Sequence, residues 1–415
     1  LWGLSGHDDG ENRFIASSDV TAKLQAALPL FDLIVGTEEE FHIAGGSVDT
    51  LAALREVRTH TPAVLVCKRG PMGAVAFAGA IPERFEDGET GPGLEIEVFN
   101  VLGAGDGFMS GLLRGWLDDK PWPEALRFAN ACGALAVSRH GCTPAYPSWD
   151  ELQFLLGRGV AKPALRKDSE LEQIHWSTNR AGDWPDLRVY AFDHRAQFED
   201  MTGATPERIH AFKRLCLNSV REVAALRRGY GVLCDSRLGR DVLHAATGTG
   251  LWIGRPVELP GSRPLELEPE VGLDFGGLIE WPQEHVVKCL CNCHPEDDEA
   301  MWAKQGATLQ RLFASARRRR LELLLEVTPS RIGPVSPETI GTLIERIYSL
   351  GIYPDWWKLE PFVDAELWAS ACASISKHDP HCRGVIVLGL EAPADQLAES
   401  FRLAARFDLV RGFAV

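Results

Sequence analysis

The chain has 415 residues, 45% of them hydrophobic and 24% charged, which is the composition of a globular protein and a length that suits two domains. Its formal net charge of −15 argues against duplex nucleic acid as a partner, because that partner usually requires a basic face. No apolar run is long enough to cross a bilayer, so no membrane partner is expected. The ten cysteines lack the spacing of a small disulfide scaffold, which predicts free thiols and a cytoplasmic location.

The first block of the chain alternates short apolar runs with helical patterns. The runs 33–35, 64–66 and 75–77 are typical of β-strands, so residues 1–158 are predicted to form a layered α/β domain. A polar segment of mixed charge follows at residues 159–186, and we interpret it as the linker between two domains.

The second block is more regular, because eight β-like runs follow one another with a helix-sized stretch between successive runs. The runs are 189–192, 231–234, 250–253, 286–290, 323–327, 356–359, 385–388 and 410–413. Eight βα repeats in a block of this size fit a (β/α)8 TIM barrel better than an open sheet, and we assign residues 187–415 to it. No helical pattern follows the last run, so the barrel is expected to lack its last helix.

The sharpest local motif is the run Gly103–Gly111, in which glycines precede an apolar helical pattern. Free backbone N–H groups at such a helix start can receive an anion, and Gly103, Ala104 and Gly105 would supply them. A carboxylate at the same end, that of Asp106, can take the proton of an attacking hydroxyl during phosphoryl transfer. From the loop alone, a glycine-rich turn with Asp106 beside the helix dipole is the simpler interpretation.

In context, this run resembles the G-A-G-D signature of the ribokinase-like carbohydrate kinase family. The resemblance implies a partial ribokinase-like α/β sandwich with Asp106 as the catalytic base, ATP as the cofactor and a sugar as the substrate. The segment 35–40 resembles the family's N-x-x-E segment, which implies that Glu40 helps to organise Mg²⁺. Thr37 stands where the family has Asn.

Two further segments match the same family in the expected order. One resembles the G-x-x-G turn that approaches the nucleotide phosphates, which implies a binding role for Gly70 and Gly73. The other resembles the helix that lines the base pocket, which implies the same role for Asn130 and Gly133. The family carries its sugar-binding lid and first strands upstream of these segments, so this half is expected to be an incomplete kinase.

Ionisable residues lie at or near the carboxyl ends of four predicted barrel strands, where the active sites of TIM barrels are found. They are Asp193 after strand one, Lys288 in strand four, Glu326 in strand five and Lys358 in strand six. Two lysines in one barrel interior are expected to depress each other's pKa, which would make one a neutral nucleophile for a ketone. Glu326 would then move protons in carbinolamine dehydration, and Asp193 would assist C–C cleavage. A lone lysine would be better explained as one that extends to solvent.

The sequences around these residues resemble the tagatose-bisphosphate aldolase branch of the class I aldolases. The matching segments are 191–195, 287–290, 325–326 and 357–361. The resemblance implies that Lys358 forms the Schiff base and that no metal or organic cofactor is needed. It gives the supporting roles to Lys288, Glu326 and Asp193.

Phosphate binding in that branch uses strands seven and eight, which implies roles for Gly389 and Gly412. A ribokinase-like half followed by such a barrel resembles the bifunctional kinase–aldolase enzymes of bacterial myo-inositol catabolism. The resemblance implies that a small-molecule sugar acid is phosphorylated and that its phosphate is split into dihydroxyacetone phosphate and malonate semialdehyde. A homo-oligomer is the expected assembly.

Three other interpretations remain open. His294, Asp297 or the cysteines at 289, 291 and 293 could hold zinc in a metal-dependent aldolase, although a spacing of two along a strand favours buried thiols. The barrel could instead be a non-catalytic dimerisation or regulatory module beside the kinase. Finally, the first half could serve another sugar, which would change the substrate alone.

Overall fold

The computed structural model describes residues 18–389 and 393–415, and the chain divides into two compact units between Asn179 and Arg180. The start of the predicted first domain, residues 1–17, lies outside the described residues. The strands of the first unit are β1 (Leu33–Thr37), β2 (Val64–Lys68), β3 (Ala74–Phe77) and β4 (Glu89–Gly91). Its helices are α1 (Ser18–Ala27), α2 (Glu38–Gly45), α3 (Thr50–His60), α4 (Ala104–Leu117), α5 (Trp122–Val137), α6 (Trp149–Arg158) and α7 (Ser169–Asn179).

The first unit is an α/β sandwich around one sheet in the order β1-β2-β3-β4, which confirms the three predicted strands. β1 and β2 are parallel, whereas β3 runs antiparallel to β2 and β4 antiparallel to β3. Successive side chains of β2 face opposite sides of the sheet. Leu65 and Cys67 pack with Leu54 of α3, and Val66 packs with Phe108 of α4. Helices therefore cover both faces.

The segment 159–186, predicted as a linker, is largely folded. Helix α7 lies inside it, and Leu165 and Leu171 are fully buried in the core of the first unit. Two of its charges, those of Asp168 and Glu170, form ion pairs with Arg158 of α6. Composition alone indicated a linker because its charged residues outnumber the two leucines that anchor the segment.

The second unit is a closed barrel of eight parallel strands, and all eight predicted strands are confirmed. The strands are β5 (Leu187–Ala191), β6 (Tyr230–Leu233), β7 (Trp252–Pro256), β8 (His285–Cys291), β9 (Glu322–Val327), β10 (Trp356–Leu359), β11 (Gly384–Leu388) and β12 (Val410–Ala414). The helices are α8 (Ala196–Glu199), α9 (Pro206–Ala224), α10 (Ser236–Ala246), α11 (Glu299–Arg318), α12 (Pro337–Ser349), α13 (Ala365–His378) and α14 (Ala394–Ala404). None of the helices formed by residues 18–389 and 393–415 is both long and apolar enough to cross a membrane.

One connection departs from the expected βα repeat. Residues 257–284, between β7 and β8, form two short 3-10 segments, Pro269–Val271 and Gly276–Glu280, in place of an α-helix. Pro260, Gly261, Pro264, Gly272 and Pro282 interrupt any helical run in this stretch.

The alternation of side chains along the strands decides which residues enter the barrel. Val286, Leu324 and Trp356 belong to the cluster that fills its interior. A residue two positions further along the same strand faces the same side. The residues at those positions are Lys288, Glu326 and Lys358.

Candidate active sites

The barrel holds a cavity of about 550 Å³ at the carboxyl ends of its strands. This cavity brings together Asp193, Lys288, Glu326, Lys358 and Gly389, which the sequence had placed on five different strands or strand ends. The cavity is where TIM barrels carry out their chemistry.

Lys288 lies at the centre of the charged residues in this cavity. Its Nζ is 2.8 Å from Oε1 of Glu258, 3.0 Å from Oε2 of Glu326 and 3.6 Å from Oδ2 of Asp193. Burial by itself would lower the pKa of Lys288, but the three carboxylates outweigh it and raise that pKa above its ordinary value. The expectation that both lysines would be depressed is therefore wrong for Lys288, which stays an ammonium.

Glu258 is a site residue that the sequence analysis missed. It follows β7 by two residues, is 3% exposed and accepts a hydrogen bond from the Leu290 N–H at 3.1 Å. Arg195 donates to its carboxylate at 2.9 Å and bonds Glu268 at 3.1 Å. Its position just beyond a strand end was the available signal, but the irregular β7–β8 connection concealed it.

Lys358 has a different electrostatic environment. Its Nζ donates to Oε2 of Glu326 at 3.2 Å, and the two residues are direct neighbours in the β9–β10 register. The same oxygen atom of Glu326 also faces Lys288. Burial raises the pKa of Glu326, but the two lysines lower that pKa by more than burial raises it. Its carboxyl group is therefore ionised. Lys358 therefore shares a single carboxylate with a second cation.

Asp193 follows β5 and is also ionised. Burial opposes its charge, but Lys288 and Lys358 lower its pKa to about 2. The backbone on either side is fixed by Lys213, a fully buried residue of α9 that donates to the carbonyls of Phe192 at 2.8 Å and His194 at 3.1 Å. Lys213 also forms an ion pair with Asp235. Its place in a helical pattern gave no sign of this role.

The two glycines expected to bind phosphate have different surroundings. Gly389 lines the cavity. Gly412 lies within β12 at a φ of +153°, where a Cβ would come within 1.7 Å of the Leu187 carbonyl oxygen. Gly412 allows β12 and β5 to approach and close the barrel, and it is not among the residues that line the cavity, so its phosphate contact stays a prediction.

The residues proposed for a zinc site are arranged for packing. Cys289, Cys291 and Cys293 are fully buried, and the pKa values of Cys289 and Cys291 lie well above their ordinary values, the former mainly through burial and the latter through a hydrogen bond to Cys293 and burial. His294 bonds the Pro334 carbonyl at 3.1 Å through Nε2. In the described part of the chain, no three His, Cys, Asp or Glu side chains are grouped so that they could hold a metal.

The first unit has its own cavity, of about 750 Å³, beside the start of α4. Of the predicted nucleotide-binding residues, it brings together Gly70, Gly73, Ala104, Gly105, Asn130 and Gly133. Gly103 adopts a left-handed φ of +79° as the N-cap of α4, where a Cβ would meet Cys142 Sγ at 2.5 Å. Lys68 also lines this cavity, a contact that the sequence analysis did not anticipate.

Asp106 and Glu40 are the acidic residues predicted for this unit. Asp106 is exposed in the first turn of α4, open to a substrate hydroxyl. Glu40 closes a capping box at the start of α2, where its Oε2 accepts from the Thr37 N–H at 2.6 Å and lies 3.8 Å from Lys68 Nζ. One such carboxylate fits a Mg²⁺ ion that is held mainly by nucleotide phosphates and water.

Comparisons with known proteins match the two units separately. Residues 151–415 match the family described as "Uncharacterized protein conserved in bacteria (DUF2090)", and residues 9–149 match "pfkB family carbohydrate kinase". The Arabidopsis thaliana protein "Probable fructokinase-7" is 35% identical over 137 residues, which is 31% of this chain and 38% of that protein. The "5-dehydro-2-deoxygluconokinase" of Geobacillus kaustophilus is 27% identical over 142 residues, or 33% of this chain and 40% of that protein.

The chain thus spans about two-fifths of the length of the curated relatives it matches. Among solved structures, the fructose-bisphosphate aldolase of Plasmodium falciparum is 11% identical, with a TM-score of 0.43 over 60% of this chain and 85% of that one.

Proposed function

The chain belongs to the DUF2090 family, whose match spans residues 151–415, and we propose that the barrel in this region is a class I aldolase. The observation that carries the proposal is the pairing of two buried lysines through one carboxylate, that of Glu326, inside a cavity at the catalytic end of the barrel. Lys358 is the nucleophile. Lys288 is excluded from that role because three carboxylates keep it protonated.

The proposed reaction begins when Glu326 takes a proton from Lys358, whose amine then attacks the ketone carbon of the substrate. Glu326 returns the proton to the carbinolamine hydroxyl, which leaves as water and yields an iminium ion. Asp193 takes the proton of the hydroxyl next to the scissile bond, the aldehyde leaves, and the electron pair of the broken C–C bond forms an enamine. Protonation of the enamine and hydrolysis release the second product and free Lys358.

Lys288 has an electrostatic role in this scheme. Its fixed positive charge beside Lys358 offsets negative charge that develops on substrate oxygens. No metal or organic cofactor is required for these steps. The buried thiols of β8 and the carbonyl-bonded His294 give no support to the zinc-dependent alternative.

For the first unit we propose the phosphoryl-transfer half of the same enzyme. Asp106 would take the proton of a sugar hydroxyl, while the N–H groups of residues 103–105 stabilise the transferred group. That group would come from bound ATP, whose charge Mg²⁺ offsets near Glu40. The matched relatives named as 5-dehydro-2-deoxygluconokinases support a sugar acid as the acceptor.

The full proposal is a bifunctional, cytoplasmic enzyme that acts as a homo-oligomer. It phosphorylates 5-dehydro-2-deoxygluconate and cleaves the 6-phosphate to dihydroxyacetone phosphate and malonate semialdehyde. The order of the two units supports this pairing, because the product of a kinase would be the substrate of the following aldolase. A barrel that only supports dimerisation would have no need for two buried lysines, whose burial is costly.

The test is borohydride trapping of the full-length protein with dihydroxyacetone phosphate, followed by peptide mass spectrometry. We expect an adduct on Lys358 that is absent in Lys358→Met and retained in Lys377→Met, a control on an exposed lysine of α13. An adduct on Lys288 would reverse the two lysine roles. Turnover that forms no adduct and is abolished by a chelator would favour the metal-dependent aldolase. The absence of both adduct and turnover would favour the non-catalytic barrel.

A further inference from the structure

Four lysine and arginine side chains line the barrel cavity: Arg195, Lys288, Arg331 and Lys358. Three of them have carboxylate partners within 4.0 Å inside the barrel. Arg331 is the exception, because it makes no ion pair within that distance to any residue in the ranges 18–389 and 393–415. Its guanidinium therefore brings a positive charge to the cavity without a direct ion-pair partner among the described side chains, although it acts on Glu360 from a longer distance, since burial raises the pKa of Glu360 and Arg331 partly offsets that rise.

The loop that carries Arg331 is held in place independently of it. The 3-10 segment Pro329–Arg331 follows β9, and the N–H groups of Ile332 and Gly333 both donate to the Pro329 carbonyl, at 2.9 and 3.1 Å. Ser330 donates to Glu360 through its N–H at 3.2 Å and through its hydroxyl. Glu360 is thus occupied by Ser330, and Arg331 is presented from a fixed loop.

Among the described residues, the part of the cavity wall at the ends of β11 and β12 contributes no cation. Its described residues from β11 and β12 are Leu388, Gly389, Ala414 and Val415. An anionic substrate in this cavity would therefore meet, on the side of β9, an arginine that has no ion-pair partner within 4.0 Å among the described residues. An arginine is suited to this task because its planar fork matches the geometry of carboxylate and phosphate oxygens.

We propose that Arg331 binds an oxyanion of the substrate, a carboxylate or a phosphate, and so fixes the direction in which the substrate lies across Lys358 and Glu326. The inference rests on the proposed aldolase function for the identity of the ligand as a substrate. The anion site itself can be tested without any catalysis.

The first experiment is calorimetric titration of the full-length protein with inorganic phosphate and with malonate. We expect at least one of the two to bind, with a Kd raised about 10-fold or more in Arg331→Gln and less in Arg331→Lys, which keeps the charge but loses the fork. Arg318→Gln, on an exposed arginine at the end of α11, should bind as the wild type does. Binding of neither anion by the wild type, or unchanged binding in Arg331→Gln, overturns the proposal.

The second experiment identifies which oxyanion of the substrate is held. If Arg331 holds the phosphate of the ketone, Arg331→Gln raises the half-saturating concentration of dihydroxyacetone phosphate for borohydride trapping and leaves that of dihydroxyacetone unchanged. If Arg331 holds the carboxylate of the aldehyde, trapping is unchanged but the KM for malonate semialdehyde in condensation rises, and that for acetaldehyde does not. If Arg331→Gln changes neither the trapping concentration nor the KM, the proposal that Arg331 binds the substrate is contradicted.

If the wild-type protein forms no borohydride adduct, the proposed aldolase function is contradicted. The calorimetric result would still decide whether Arg331 forms an anion site. The failure of the function and the failure of the site are therefore distinguishable.

Discussion

The candidate sites of the two units are built from different kinds of groups. In the first unit the cavity is lined mainly by glycine backbone and apolar side chains, with a few polar residues such as Lys68 and Asn130, and its candidate base, Asp106, is exposed. In the barrel the candidate residues are buried charges that depend on each other, since Lys288 faces Glu258, Glu326 and Asp193 within 4 Å. A backbone site tolerates the loss of a charge better than a site built from paired charges does.

This difference predicts how each unit fails. An exposed functional charge can be removed with loss of activity and little loss of stability. A buried, paired charge cannot, because its partners are left without compensation.

The largest effect is expected for Asp106→Asn. Loss of a general base should slow sugar phosphorylation by the full-length protein about 10²–10⁴-fold. The thermal transition should not move, because the side chain is exposed. Asp118→Asn, at the other end of α4, removes an exposed carboxylate paired with Arg114 and serves as the control. The measurement is the phosphorylation rate of both variants. A loss of less than about 10-fold in Asp106→Asn would contradict the role of Asp106 as the general base.

The next effect is on stability and separates the two units directly. Glu258→Gln should reduce the free energy of unfolding by about 3 kcal/mol, because Arg195 and Lys288 would lose a buried partner. Glu40→Gln in the first unit should cost less than about 1 kcal/mol, since the side chain is half exposed and Gln preserves the capping box. Urea unfolding of the two variants gives both values, and equal losses would break the contrast between the units.

A third effect is a pH dependence that belongs to the barrel. His285 is 2% exposed, and burial together with the nearby Arg255 lowers its pKa from 6.5 to about 4. The unfolded chain therefore binds a proton below pH 6.5 that the folded protein resists, so stability falls as the pH falls towards 4. From about pH 7 to about pH 5 this amounts to about 2 kcal/mol.

The measurement is the unfolding free energy at both pH values in the wild type, in His285→Gln and in His60→Gln, a change at a partly exposed histidine of α3. We expect the pH dependence to shrink in His285→Gln alone. A wild-type difference that survives this substitution would assign the dependence to other groups.

The difference between a backbone site and a site of paired charges also explains how much of each site could be predicted from the sequence. The Gly103–Asp106 loop is contiguous, so its residues and its place at a helix start could be recognised together. The eight barrel strands could be located because each is a short apolar run, and Lys358 and Lys288 stood out because lysine is rare in such runs.

Glu258 could not be found in this way, because its role depends on Arg195 and Lys288, which are 63 and 30 residues away along the chain. The raised pKa of Lys288 had the same origin. The sequence suggested two lysines that repel each other, but the fold added a carboxylate from an irregular connection that no periodic pattern marks. The packing role of Gly412 could not be predicted for a similar reason, since the close approach of β5 appears only when the barrel closes.

The smallest predicted effect concerns the backbone of the site in the first unit. Gly103 holds a φ of +79°, which disfavours any residue with a Cβ, so Gly103→Ala should lower the unfolding free energy by about 1 kcal/mol. Gly79→Ala is the matched control, because that glycine has no left-handed φ and an added Cβ would meet no other atom within 4 Å. We also expect Gly103→Ala to weaken ATP binding, measured by calorimetry, because the first N–H groups of α4 would be displaced. If Gly103→Ala keeps both its stability and its ATP affinity, the site of the first unit does not depend on its backbone, and the distinction between the two units is lost.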